Sequence, residues 1–120
     1  MVEVEVALQP SGFVLVRLAG EIDMSQEGPV QRAFARALAA GPAPVLVDLC
    51  DLRFLAVVGA DWLDSAIREL TAQGRAVAVV CASRGPVWRI LTLLELDRRW
   101  PVHHDATHAV MSLRPDGTDR

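Results

Sequence analysis

Three groups of residues have the types and spacing that chemistry could use. His103, His104 and His108 flank Asp105 near the end of the chain, and imidazoles beside a carboxylate are the usual donors to zinc. His104 and His108 are one helical turn apart, but adjacent histidines at a strand end point to opposite faces. Three of them do not converge, and a solvated surface is the expectation, with no metal. Cys50 and Cys81 make neither a C-x-x-C pair nor a zinc spacing. Each ends an apolar run, so both are expected as reduced, small core hydrophobes. Arg84, Arg89, Arg98 and Arg99 could meet phosphate, but Glu95 and Asp97 interleave them, which reads as a mixed solvated face. The chain carries no G-x-S-x-G, no Walker loop, no G-x-G-x-x-G and no nucleophile beside a histidine. An enzyme is therefore not expected, nor a cofactor.

The elements that position these residues must come from 120 residues, enough for one compact domain. Of these, 52% are apolar, so a real core is available and disorder is not expected. The net charge is −3, every positive side chain is an arginine, and acids are interspersed. Nucleic acid wants a clustered basic surface, so it is not the expected partner. No secretory signal pattern and no apolar run near ~18 residues is present. The expectation is a cytoplasmic protein.

Strand and helix signals alternate along the chain. In "MVEVEVALQ", Val2, Val4, Val6 and Leu8 share one face and Glu3 and Glu5 the other, the period of a half-exposed strand. The turn "PSG" leads into "FVLVRLAG" (13–20), and the pair reads as a hairpin. From about Gly28 to Ala40 the period is helical, with Val30, Phe34, Ala37 and Leu38 on one face. "VLVDLC" (45–50) and "AVAVVC" (76–81) read as buried strands. Gly59 to Gln73 is helical with a core stripe of Ala60, Leu63, Ile67 and Leu70, and Gly74 stops it. Ser83 to Leu96 is helical, "WPVHH" (100–104) is a short strand, and Asp105 caps a last helix carrying Ala109, Val110 and Leu113. Residues 114–120 read as a flexible polar tail after a domain of residues 1–113. Buried strands that alternate with helices require parallel crossovers, so the prediction is a mixed α/β sheet of about five strands with an N-terminal hairpin and about four helices.

One stretch breaks a local rule. In "RFLAVVGADWLDSAI" (53–67), Ala56, Val57 and Val58 precede Gly59 where a helix begins. Helix starts favour Ser, Thr, Asp or Asn, whose side-chain oxygen accepts an orphan N–H. Asp61 and Asp64 in the following turns are expected to compensate in part through the helix dipole.

With the element order and several strings on the page, the chain resembles the STAS domain, the SpoIIAA-like fold of bacterial anti-sigma factor antagonists, from about Phe13 to Leu113. "LAGEIDMS" (18–25) is similar to the family's G-E-[LIV]-D string. "VLVDLCDLRFL" (45–55) is similar to its V-x-D-[LF] strand and loop. Gly59 with Leu63 resembles the start of its second helix, and "RILTLLELDRRWPV" (89–102) its third helix and fifth strand. The resemblance implies a partner switch without catalysis: the antagonist binds an anti-sigma factor that is also a kinase, and phosphorylation in a D-[ST]-x-G string ends binding. A phosphate adds about −1.5 to −2 charges that must be desolvated inside an interface. Set on this chain, the string falls on Ala56, Val57, Val58 and Gly59, and only the glycine remains. Val57, at the acceptor position, cannot take phosphate. Ser65, the nearest hydroxyl, lies about two turns along, roughly 10 Å away at ~1.5 Å per residue, and reads as an ordinary helix residue.

The expected partner-binding set is Asp23, Ser25, Val57, Val58, Asp61 and Trp62. Asp23 and Ser25 also have cap chemistry. Asp48, at a strand end, is expected to pair with loop N–H groups. Trp62 lies off the core stripe and, with Val58 and Ala66, would line a second helix face as an interaction patch. Trp88 and Trp100 are expected in or over the core. The expected function is a kinase-type anti-sigma factor's binding partner that is not switched at Val57. The alternative is an accessory subunit of a lipid-transport ATPase complex, and a third reading is a homodimer through the Val57–Trp62 patch.

Overall fold

The computed structural model describes residues 1–114; the tail expected over 114–120 lies, after its first residue, outside the described residues. Strand β1 (Val2–Leu8) pairs antiparallel with β2 (Val14–Ile22), in register from Val2 opposite Gly20 to Leu8 opposite Val14. Every later pairing is parallel. β3 (Val45–Asp48) lies against the first half of β2, β5 (Val77–Val80) lies against β3, and β6 (Val102–His103) closes that edge. The sheet order is β1-β2-β3-β5-β6.

A sixth strand, β4 (Leu52–Leu55), pairs with the second half of β2, beyond the end of β3. The sequence reading treats this segment as loop. Its four residues alternate too briefly to signal a strand, and its order follows from the length of β2, which outruns β3.

The helices are α1 (Glu27–Ala39), α2 (Val57–Ala72), α3 (Pro86–Leu93), α4 (Leu96–Arg99) and α5 (Ala106–Ser112), with a 3-10 turn over Met24–Gln26. The single helix expected over 83–96 is divided, because Glu95 takes the left-handed conformation at φ 60° and ends the run. The helix expected from Gly59 begins two residues earlier, at Val57. Gly74, at φ +80°, follows its C-terminal turn. No helix among the described residues is long and apolar enough to cross a membrane.

Alternation along the strands supplies two cores. Val14, Val16 and Leu18 of β2, Val45 and Val47 of β3, and Val79 of β5 face the stripe Ala60, Leu63, Ile67 and Leu70 of α2 and Phe34 of α1. Leu46, Ala78 and Val80, the intervening residues, pack under Ala109 of α5 and Leu113 at its C-cap. Each fully buried Val, Leu or Ile contributes about 1.5–3 kcal/mol, so the stripe on α2 fixes that helix on the sheet. Strand β1 is an edge, and the polar atoms along it are partly covered. Gln26 accepts the Val2 N–H through Oε1 at 2.8 Å, and Arg36 donates to the Val6 carbonyl at 3.2 Å.

Arg75 holds the far end of this arrangement together. Its guanidinium donates to the carbonyls of Ala43 at 2.8 Å and Ala37 at 3.1 Å, tying the end of α1 to the approach to β3. The residue is buried, and burial lowers its pKa from the ordinary arginine value. Nothing in the sequence marks Arg75 as different from the other arginines.

Candidate partner-binding surface

The site grows out of the parallel pairing of β2 and β4. Glu21 lies opposite Phe54 and Ile22 opposite Leu55, so the two strands end side by side. The segment leaving β2 and the segment entering α2 therefore occupy one rim of the sheet. The Ala56 N–H donates to the Ile22 carbonyl at 2.9 Å, which fastens the two segments together, and the 3-10 turn packs against α2.

On the first segment, Asp23 caps the 3-10 turn. Its Oδ1 accepts the Ser25 N–H at 2.9 Å and also the Ser25 hydroxyl, and these bonds hold its carboxyl below the usual range. Both residues are exposed, so capping leaves them available at the surface.

On the second segment, Ala56 occupies the N-cap of α2 with φ −69° and ψ 155°, and no side chain caps the helix. Val57 is 52% exposed. Val58 is half-buried, and Asp61 is exposed just past the first turn, which holds no acid. Gly59 is there for packing: a Cβ on it would stand 2.7 Å from Ile22 Cγ2 and 3.0 Å from Leu55 Cδ1. Its φ is ordinary, so close approach of α2 to the ends of β2 and β4, not backbone freedom, requires a glycine.

The structure differs from the expected patch at Trp62. Instead of standing exposed beside Val58, Trp62 is half-buried against the core. With Phe34 and Leu38 it lines a groove of about 320 Å³ between α1 and α2, and Ser65 lies on that groove's edge. The apolar side chains that do stand out at the rim are Val57, Met24 and Phe54. Sequence reasoning missed the last two. Met24 was hidden in a loop, and the outward face of Phe54 required knowing that its segment is a strand.

The remaining chemistry-bearing residues are engaged locally. Asp48 accepts the Cys50 N–H at 2.9 Å, as expected of a strand-end carboxylate. Cys81 is buried as expected, but Cys50 is exposed: β3 ends at Asp48, so Cys50 falls in the turn and not in the strand. Although the residue is exposed, partial desolvation of its sulfur and the neighbouring Asp48 push the Cys50 thiol up to about 12. His104 meets the Cys81 carbonyl through Nδ1 at 2.9 Å and stands edge-on to Trp88 with ring centroids 4.8 Å apart. Asp105 accepts the His108 N–H at 2.8 Å and caps α5. Among the described residues no three His, Cys, Asp or Glu side chains are grouped to hold a metal.

Asp64 departs most from expectation. It does not serve the helix dipole but is buried and pinned. Its Oδ1 accepts the Trp100 indole N–H at 2.9 Å, while Oδ2 accepts from Arg68 and, at 3.0 Å, from Arg99. The i,i+4 spacing of Asp64 and Arg68 was the available signal.

Comparison with known proteins agrees with the fold. A family profile described as STAS domain matches residues 5–109. None of the curated proteins matches the chain. Among solved structures, an anti-sigma factor antagonist from Mycobacterium paratuberculosis is 24% identical and superposes with a TM-score of 0.86 over 95% of each chain. A Thermotoga maritima protein is 16% identical, with a TM-score of 0.80 over 92% of this chain and 94% of that one. The anti-sigma factor antagonist SpoIIAA in its unphosphorylated form is 16% identical, with a TM-score of 0.65 over 92% of this chain and 96% of that one.

Proposed function

From a chain that belongs to the STAS domain family, we propose an anti-sigma factor antagonist that binds a kinase-type anti-sigma factor through the rim of Asp23, Ser25, Val57, Val58 and Asp61, with Trp62 behind it, and that is not switched off there. Val57 carries the reading. It stands exposed at the start of α2, where the family string places its phospho-acceptor, and it has no atom that can be phosphorylated. The other exposed apolar side chains of the rim, Met24 and Phe54, favour a contact that stays closed: such a contact loses nothing to a charge that never arrives.

The test is a binding measurement between the purified protein and the anti-sigma kinases of its source genome, with and without ATP. The expected result is a complex whose affinity ATP does not change and an antagonist whose intact mass stays constant. Phosphate on Ser25 or Ser65 together with loss of binding would overturn it.

The same apolar rim favours one second reading, a permanent accessory subunit of a lipid-transport ATPase. Recovery of a transporter ATPase in place of a kinase, by capture on the tagged protein, selects that reading.

A further inference from the structure

At the opposite end of α2 from the rim lies a cleft of about 800 Å³. Its floor is apolar, made by Ile67, Val77, Trp100 and Pro101. That volume is in the range of small-molecule sites, which combine apolar lining with a few convergent polar groups. Here the charged groups are three guanidiniums, Arg68, Arg75 and Arg99, and one carboxylate, Asp64, beside the hydroxyl of Thr71.

The charges do not balance. Asp64 is the single acid in the lining, and its two oxygens are already engaged by Trp100, Arg68 and Arg99. One carboxylate thus answers two guanidiniums, whose side chains remain 71% and 56% exposed at the mouth. Arg75, behind them, donates only to backbone carbonyls, and its Nη2 is buried without a partner among the described residues. An uncompensated buried charge acts over a longer range than a solvated one, because less water screens it. The cleft is therefore positive on a chain whose net charge is −3.

We propose that this cleft binds a small amphipathic organic anion, its carboxylate or phosphate on Arg68 and Arg99 and its apolar body on Ile67, Val77, Trp100 and Pro101. The built cluster gives the site its rigidity. Asp64 orients both guanidiniums before any ligand arrives, so little side-chain entropy remains to be lost on binding. The indole of Trp100, held by the same carboxylate, supplies a flat wall at a fixed angle.

Trp100 also reports on the site. In a Trp62→Phe, Trp88→Phe protein, all indole fluorescence comes from Trp100. Titration with decanoate is expected to give a saturable change with a Kd below about 1 mM, and decyl phosphate a comparable one. Decanol, which lacks the charge, is expected to bind at least about tenfold more weakly, and acetate, which lacks the body, to give no saturation. Arg99→Gln should weaken decanoate about tenfold and leave decanol unchanged. Ala72→Phe, an exposed position on the cleft wall, should block both ligands without touching the core. If the double-Phe protein does not fold, the Trp100 indole N–H signal of the unsubstituted protein in an NMR titration gives the same readout. Absence of saturable decanoate binding, equal affinity for decanoate and decanol, or unchanged decanoate binding in Ala72→Phe would each overturn the proposal.

Discussion

Asp64 on α2 and Trp100 before β6, thirty-six positions apart, meet through a buried 2.9 Å hydrogen bond from the indole N–H to the carboxylate. The bond links the long helix to the segment that leads into the edge strand. Removing it with Asp64→Ala strands a buried donor and releases two arginines, a loss of about 1–3 kcal/mol. Chemical denaturation should read this as a lower midpoint with an unchanged slope.

The same carboxylate sets a pH dependence. Burial alone would raise its pKa, but donation by Trp100 and Arg68 and the charge of Arg99 outweigh burial, and the net shift is downward. A carboxyl whose folded pKa lies below its unfolded value of about 3.9 adds stability that is complete above that pH. The contribution fades as pH falls through the folded value. Melting temperatures from about pH 7 down to pH 2.5 should therefore drop on the acid side, and less steeply in Asp64→Asn. Part of the slope will persist in that variant, because Asp23 and Asp105 are also held low by their caps.

An uncapped helix start invites repair. Ala56 already has the extended backbone of an N-cap and lacks only the oxygen. Ala56→Ser or Ala56→Asp should stabilise the fold by about 0.5–2 kcal/mol. A thermal melt that stays flat or falls would mean the side chain cannot reach the first-turn N–H groups.

Val57→Asp separates stability from binding. A carboxylate in the first turn of α2 interacts favourably with the helix dipole, by about 0.3–1 kcal/mol. At the proposed interface it is a charge in an apolar rim, and affinity for the anti-sigma partner should fall at least about tenfold. Calorimetry of the melt and of the binding reaction should move in opposite directions. Unchanged affinity would remove Val57 from the interface.

Gly59→Ala tests the reason the family glycine survives here. Alanine gains about 1 kcal/mol in a helix interior, but its Cβ would press on Ile22 and Leu55, and overpacking costs about 1–3 kcal/mol. The β-branched Ile22 yields little, so a net destabilisation measured by denaturant is expected.

The fold was legible where a residue's neighbours in sequence decide its state. The stripe on α2, the hairpin and the two valine-rich strands follow from local period, and all four residues of the stripe are buried. Strand β4 was not legible, since its pairing depends on how far β2 runs past β3. Glu95 divides a helix that its apolar period continues through. The site residues on the two rim segments share an edge because parallel strands end together, which the predicted topology contained once β4 is added. Trp62 was misplaced because an off-stripe residue on one helix can still be covered by another, here α1. Arg75 and Arg99 acquire their roles only across 32 to 38 positions of chain.

The covered edge of β1 has a consequence for how the molecule behaves in a crowd. An open strand edge is a template for a second chain, and alternating valines are good cross-β material. Gln26 and Arg36 occupy outward backbone groups at Val2 and Val6, and Glu3 and Glu5 would face their counterparts in any copy that paired there. These four polar side chains guard the open edge against a second copy, and replacing them together should favour edge-to-edge aggregation.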